Sequence, residues 1–219
     1  MKVQFMISDL SFREKPTGAD VGKVNNSFYN TSGTIRELFS DLTHGKSFTP
    51  AICSEKRNNA NWLGAQIFAL DFDSGVTIAD ALTHFEDHSL KPSFYYKSFS
   101  WSEEKEKFRF VWAFDTFIED LDLWKMIQRA FLNIAQSMRD DIEAVDSLKD
   151  QARMYFGTSK GGELFYLSPL SLDHHIATFD TFGIPGKKVT KNHVRKVAKT
   201  TLEKREPKNA FVINNIISN

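Results

Sequence analysis

The apolar run Ile67-Phe68-Ala69-Leu70 ends in Asp71-Phe72-Asp73. Strand side chains alternate faces, so residues two apart point the same way. Both carboxylates then leave one face of one strand, at its solvent end. Two like charges this close repel unless a positive group neutralises them. A hard divalent cation, Mg²⁺ or Mn²⁺, answers that need with oxygen ligands. D-x-D alone is also compatible with a polar strand end that enters a turn at Ser74-Gly75.

A two-metal site needs a further acid. The stretch from Arg139 to Asp150 supplies five: Asp140, Asp141, Glu143, Asp146 and Asp150. Asp146 follows the apolar Val145, which suits a strand-like turn leading back to the site. Asp140, Asp141 and Asp150 read as solvated helix-end charges. Spacing alone leaves Asp146 open between ligand and surface charge. Cations flank the acids: Lys105, Lys107, Arg109 and Arg153. Arginine binds phosphate oxygens bidentately. Arg109 begins an otherwise apolar strand and should face a site or a partner. Arg153 stands at the apolar boundary before Met154-Tyr155-Phe156-Gly157. Lys105, within Glu103-Glu104-Lys105-Glu106-Lys107, reads as a surface charge. His84 and His88 are four apart on a helix, but Phe85 stands where a metalloprotease helix needs glutamate, so both read as surface residues. His174-His175 would face opposite ways on an extended segment, which argues against a shared metal.

The elements that position these residues follow from periodicity. Lys2–Ile7 suits a first strand. Ile35, Leu38, Phe39 and Leu42 share a helical face, with Thr34 and Glu37 spaced as a capping box. Gln66–Asp73 is a strand, followed by a helix opening near Thr77. Ser93–Phe99 and Phe108–Phe114 are strands joined by the charged turn Ser102–Lys107. Thr116-x-x-Glu119 opens a long helix to about Met138, and Leu164–Leu167 is a last short strand. The order is β-α-β-β-α-β, the ferredoxin-like unit. Its first and third strands are neighbours, so Asp71 and Asp73 should lie beside Phe108–Phe114. The hairpin would bring Ser98, Ser100, Lys107 and Arg109 to the same face. Periodicity fades over Ser171–Gly186, which places a boundary there: a core at 1–170 and an extension at 171–219.

Composition bounds the function. The 219 residues are 41% hydrophobic and 26% charged, as expected of a globular chain of one large or two small domains. The single cysteine, Cys53, excludes an intramolecular disulfide and a Cys-rich zinc site, and suits a reducing cytoplasm. No apolar run approaches 18 residues, and no signal-peptide pattern follows Met1. The formal net charge is zero, which excludes a uniformly basic, DNA-coating protein. The charge is uneven, however: Lys187–Lys208 holds nine Lys/Arg against Glu203 and Glu206, an excess of +7. That segment suits phosphate contacts, or a solvated linker.

Three segments resemble the motifs of the archaeo-eukaryotic primase superfamily, in the form of primase-polymerases from plasmids, phages and other mobile elements. They are Ile67–Asp73; Ser98-Phe99-Ser100 with Lys107-Phe108-Arg109-Phe110-Val111; and Val145–Gly157. Arg57-Asn58-Asn59 through Trp62 resembles the segment that precedes the first motif. The resemblance covers about Ile35 to Leu167. It implies an α+β fold, an N-terminal α/β unit packed on an RRM-like unit. It implies template-directed nucleotidyl transfer on single-stranded DNA from nucleoside triphosphates, with Asp71, Asp73 and Asp146 holding two Mg²⁺ or Mn²⁺ ions. Ser98, Ser100, Lys107, Arg109 and Arg153 would bind the nucleotide, and a helicase domain or protein would be a partner. The second motif of many members ends in histidine, as S-x-H. Here Ser98-Phe99-Ser100 is followed by Trp101 and holds none.

Two other readings fit part of the pattern. A catalytically impaired DNA-binding module of the same fold would explain the missing histidine, but not three acids kept together. A haloacid-dehalogenase-like phosphatase carries D-x-D-G-T after an apolar strand, and Asp71-Phe72-Asp73-Ser74-Gly75-Val76-Thr77 is close. There the inserted Ser74 shifts Gly75 and Thr77 out of register.

Overall fold

The computed structural model describes residues 1–73, 75–138 and 150–183. The elements run β1 (Val3–Ser11), α1 (Ala19–Asn26), β2 (Phe28–Gly33), α2 (Ile35–Thr43), β3 (Lys46–Thr49), β4 (Ala51–Cys53), β5 (Trp62–Phe72), α3 (Ile78–Asp87), β6 (Phe94–Lys97), β7 (Phe108–Ile118), α4 (Leu121–Gln136), β8 (Gly162–Leu164) and α5 (Leu172–Phe182). They build an α+β molecule with two sheets, in the orders β2-β1-β3 and β4-β5-β7-β6-β8. Every ladder between these strands is antiparallel.

The larger sheet is buried on both faces, which is why β5 and β7 read as apolar runs more than as alternations. On one face Phe68, Leu70, Phe72, Phe108, Phe110, Trp112 and Phe114 pack under α3, α4 and α5. Aromatic rings fill this layer: Phe68 stacks on Phe131 at 4.5 Å and Phe72 on Phe108 at 4.7 Å. Such pairs add to plain area burial. On the other face Ile67, Ala69, Val111, Ala113, Phe94 and Tyr96 meet Val3, Phe5 and Ile7 of β1, Ile35, Leu38 and Leu42 of α2, and Phe48 of β3. The N-terminal unit thus lies on the sheet through its own apolar face.

Local signals set several boundaries where the sequence places them. Thr34 accepts from Glu37 N while the Glu37 side chain takes Thr34 N–H at 2.7 Å, the reciprocal cap of α2. Thr77 caps α3. The long helix starts later than Thr116-x-x-Glu119 suggests. β7 keeps pairing as far as Ile118, opposite Ala65, and Asp120 caps α4 by accepting from Asp122 N and Leu123 N. Ladder hydrogen bonds there outweigh the local cap signal.

Of the β-α-β-β-α-β unit, β5, β7 and β6 lie side by side in the expected order. The fourth strand does not take its expected place beside the first. β8, at Gly162–Leu164, pairs with β6 on the far edge, and β4 occupies the place next to β5. The expected boundary after residue 170 precedes α5, whose Leu172, Phe179 and Phe182 are buried in the α4 core. His84 and His88 are not plain surface residues, because α4 and α5 cover this side of α3. His84 Nε2 meets Ile134 O at 2.9 Å, and His88 is buried against Phe182. His174 and His175 lie on α5, where His175 Nε2 meets Ser89 O at 3.0 Å. Among the described residues, no helix is long and apolar enough to cross a membrane.

Candidate active site

Cross-strand register builds the site. Asp71 on β5 pairs with Arg109 on β7, and Arg109 with Tyr96 on β6. One step inward, Ala69, Val111 and Phe94 form an apolar row on the same face. One step outward, Asp73 faces Lys107, and Ser98 N donates to Lys107 O at 2.8 Å. The face changes from apolar to ionic at the row of Asp71, at the mouth between the sheet and the N-terminal unit.

Asp71 is a buried carboxylate held by two guanidiniums. Arg109 Nε lies against its Oδ1, and Arg153 Nη2 donates to its Oδ2 at 3.2 Å. Arg109 is itself enclosed. Its Nη1 donates to Phe156 O at 2.8 Å, and its guanidinium lies 5.5 Å from the Tyr96 ring and 5.7 Å from the Tyr155 ring. Burial opposes its charge, but the Asp71 carboxylate outweighs burial and holds the guanidinium above its usual range. Burial also pushes the Tyr96 hydroxyl up to about 12. Asp73 is different. Its side chain is 55% exposed, and Lys107 Nζ lies 3.6 Å from its Oδ1. Three cations therefore face two carboxylates.

Arg153 reaches Asp71 because its segment is threaded between the two units. Tyr155 pairs backbone to backbone with Phe48 of β3, and its hydroxyl donates to Ala69 O at 2.8 Å. Gly157 passes so close to α2 and β3 that a Cβ there would lie 2.1 Å from Lys46 O and 2.6 Å from Leu42 O. On the other side Asn59 Oδ1 accepts from Ala152 N at 3.1 Å. Arg57 Nε donates to Asn25 Oδ1 at 2.9 Å, and its Nη1 donates to Ala152 O. The Arg57–Trp62 segment thus anchors the start of this thread. The sequence marked that segment but gave no role to Asn25 or Tyr155, whose partners come from elements far away in the chain.

The expected site residues divide as follows. Asp71, Arg109 and Arg153 meet directly, with Asp73 and Lys107 beside them. Ser98 is buried on the same face, and its hydroxyl has no hydrogen-bond partner among the described residues. Ser100 sits on the exposed turn that follows, apart from these contacts. Asp146 and the basic segment Lys187–Lys208 lie outside the described residues. Arg109 was expected to face phosphate. It is buried and pairs with Asp71, because the register places the two side by side. Among the described residues, no three His, Cys, Asp or Glu gather as a metal site.

No family model matches the chain, and a search of curated protein sequences finds no match. Among solved structures, the chain is similar to the AEP domain (PP-N190) of the cyanophage S-2L primase-polymerase (PrimPol). The identity is 13%, the TM-score is 0.47, and the alignment covers 81% of this chain and 89% of that one.

Proposed function

We propose that this chain is a metal-dependent nucleotidyltransferase of the primase-polymerase class, extending or starting a strand on a single-stranded DNA template. One observation carries the reading. Segments resembling all three superfamily motifs meet at the Asp71 carboxylate, with Arg153 arriving from 82 residues away. The antiparallel ladders on both sides of β5 argue against the phosphatase alternative, whose doubly wound sheet is parallel.

The residues present fit a hard divalent ion in part. Asp71 and Asp73 offer carboxylate oxygens, the preferred donors. Asp73 is open to solvent, and the Arg153 side chain on Asp71 is 27% exposed. Asp146 is proposed as the third acid. A bound ion would supply Lewis-acid stabilisation of the phosphoryl oxygens. The chain's own groups do the rest. Lys107 and Arg153 would leave their carboxylates for the incoming triphosphate, whose charge exceeds theirs. The Ser98 hydroxyl would donate to a phosphate oxygen. Arg109, fixed by Phe156 O and the two tyrosines, would keep the Asp71 carboxylate aimed.

The test is incorporation of labelled nucleotide on single-stranded template with Mg²⁺ and then Mn²⁺. The wild-type chain is expected to incorporate with at least one metal, and Asp71→Asn and Asp73→Asn to lose it by more than 100-fold, roughly the loss of one catalytic group. DNA binding without incorporation under either metal would establish the non-catalytic module instead.

A further inference from the structure

We propose that Lys97, Trp101 and Lys160 form a binding shelf for the phosphate backbone of single-stranded DNA beside the active site, an assignment that rests on the polymerase reading for its biological sense. Lys97 Nζ sits 3.6 Å from the centre of the Trp101 ring, and Lys160 Nζ donates to Trp101 O at 2.7 Å. A cation over an indole face is attracted by the ring quadrupole, so ring and ammonium hold each other in place. The shelf is tied together by its backbone. Lys97 N donates to Gly161 O at 2.9 Å, and Ser159 Oγ donates to Arg13 O at 2.7 Å. The end of β6, the turn that follows it and the loop before β8 thus hold one ammonium group on the Trp101 indole and a second on the Trp101 carbonyl.

The shelf has free positive charge. Lys23, Lys46, Arg57, Lys91, Lys107, Arg109 and Arg153 each have a carboxylate partner. Neither Lys97 nor Lys160 has one among the described residues. The acids of the same hairpin are placed elsewhere. Glu106 accepts from Ile78 N at the start of α3, and Glu103–Glu106 line a cavity of about 320 Å³ with Gly75–Thr77 and Asp80. Neither lysine lines that cavity. Phosphates would be repelled there and accepted at the shelf. The shelf also adjoins the site: Trp101 N donates to Ser98 O at 3.1 Å, and Ser98 N to Lys107 O at 2.8 Å. A strand lying on Lys160 and Trp101 would lead to the row of Asp73 and Lys107. Unpaired bases stack on aromatic rings without regard to sequence, so Trp101 suits a strand of any composition.

The experiment is fluorescence anisotropy of a labelled oligothymidylate with the full chain, as a function of salt. Each single-strand phosphate contact adds about 0.7 to the slope of log K against log salt. Lys97→Ala with Lys160→Ala should therefore lower the slope by about 1.4, or roughly 25-fold in affinity at 0.1 M salt. Trp101→Ala should weaken binding by about 5- to 150-fold. The control, Arg36→Ala with Lys125→Ala, removes the same charge and should leave most of the slope. An unchanged slope in the shelf variant, an equal loss in the control, or no oligonucleotide binding by the wild type would each overturn the proposal. Circular dichroism checks that the variants fold. Nucleotide incorporation separates the two readings. A wild type that binds through the shelf but never incorporates refutes the polymerase reading alone. A wild type that incorporates with an indifferent shelf refutes the shelf alone.

Discussion

Replacing Arg109 with methionine isolates the pair at the heart of the site. The change keeps most of the side-chain volume and removes the guanidinium. Asp71 then stays buried with one cation left, Arg153 at 3.2 Å. Removing one partner of a buried pair costs about 3–5 kcal/mol, because the other charge loses its compensation. The remaining arginine places this case at the lower end. Phe156 O loses its bond from Arg109 Nη1 but keeps the Tyr96 hydroxyl at 3.2 Å, so the carbonyl is not stranded. The expected loss is about 3 kcal/mol, which for a chain of this size lowers Tm by about 6–12 °C. Adding Asp71→Leu to Arg109→Met should recover much of it, since apolar replacement of both members of a buried pair is often neutral. Urea unfolding followed by circular dichroism measures both variants against the wild type. A loss under about 1 kcal/mol for Arg109→Met, the worth of a surface pair, would refute the claim that Asp71 depends on a buried counter-charge.

Gly157→Ala should destabilise by more than about 3 kcal/mol or prevent folding, because the new methyl meets backbone oxygen of β3 and α2; thermal melts report it. Tyr155→Phe should cost about 1–2 kcal/mol in urea unfolding by stranding the buried carbonyl of Ala69. Burial holds the pKa of His88 below its ordinary 6.5. The unfolded chain then takes up a proton that the folded chain refuses, so stability should fall as pH drops below about 6.5. His88→Leu should flatten that fall in urea midpoints compared at pH 7.5 and 5.5. Lys107→Ala should weaken binding of a fluorescent nucleoside triphosphate by about tenfold or more, as expected of a lost charged contact, while Lys105→Ala leaves it unchanged.

Much of the site was legible in the sequence because its signals are local. An apolar run closed by Asp71-Phe72-Asp73 fixes a strand and the side its acids share, through the two-residue period alone. The β-α-β-β-α-β order placed β7 beside β5 and Arg109 near the face of the acids, while the pairing of Arg109 with Asp71 came from the register. Thr34 with Glu37, and Thr77, mark helix starts through bonds made within one turn. What only the tertiary structure decided depends on contacts between distant segments. That Arg109 is enclosed follows from Tyr96, Tyr155 and Phe156 closing over it, and the order of residues along the chain holds no record of that. The edge taken by β8, the packing of α5 and the burial of His88 were settled the same way, by which apolar faces remained to be covered. Strand and helix periods are properties of a few consecutive residues. A counter-charge or a sheet edge belongs to whichever part of the chain arrives there, and here the decisive part was a thread that only a glycine at 157 lets through.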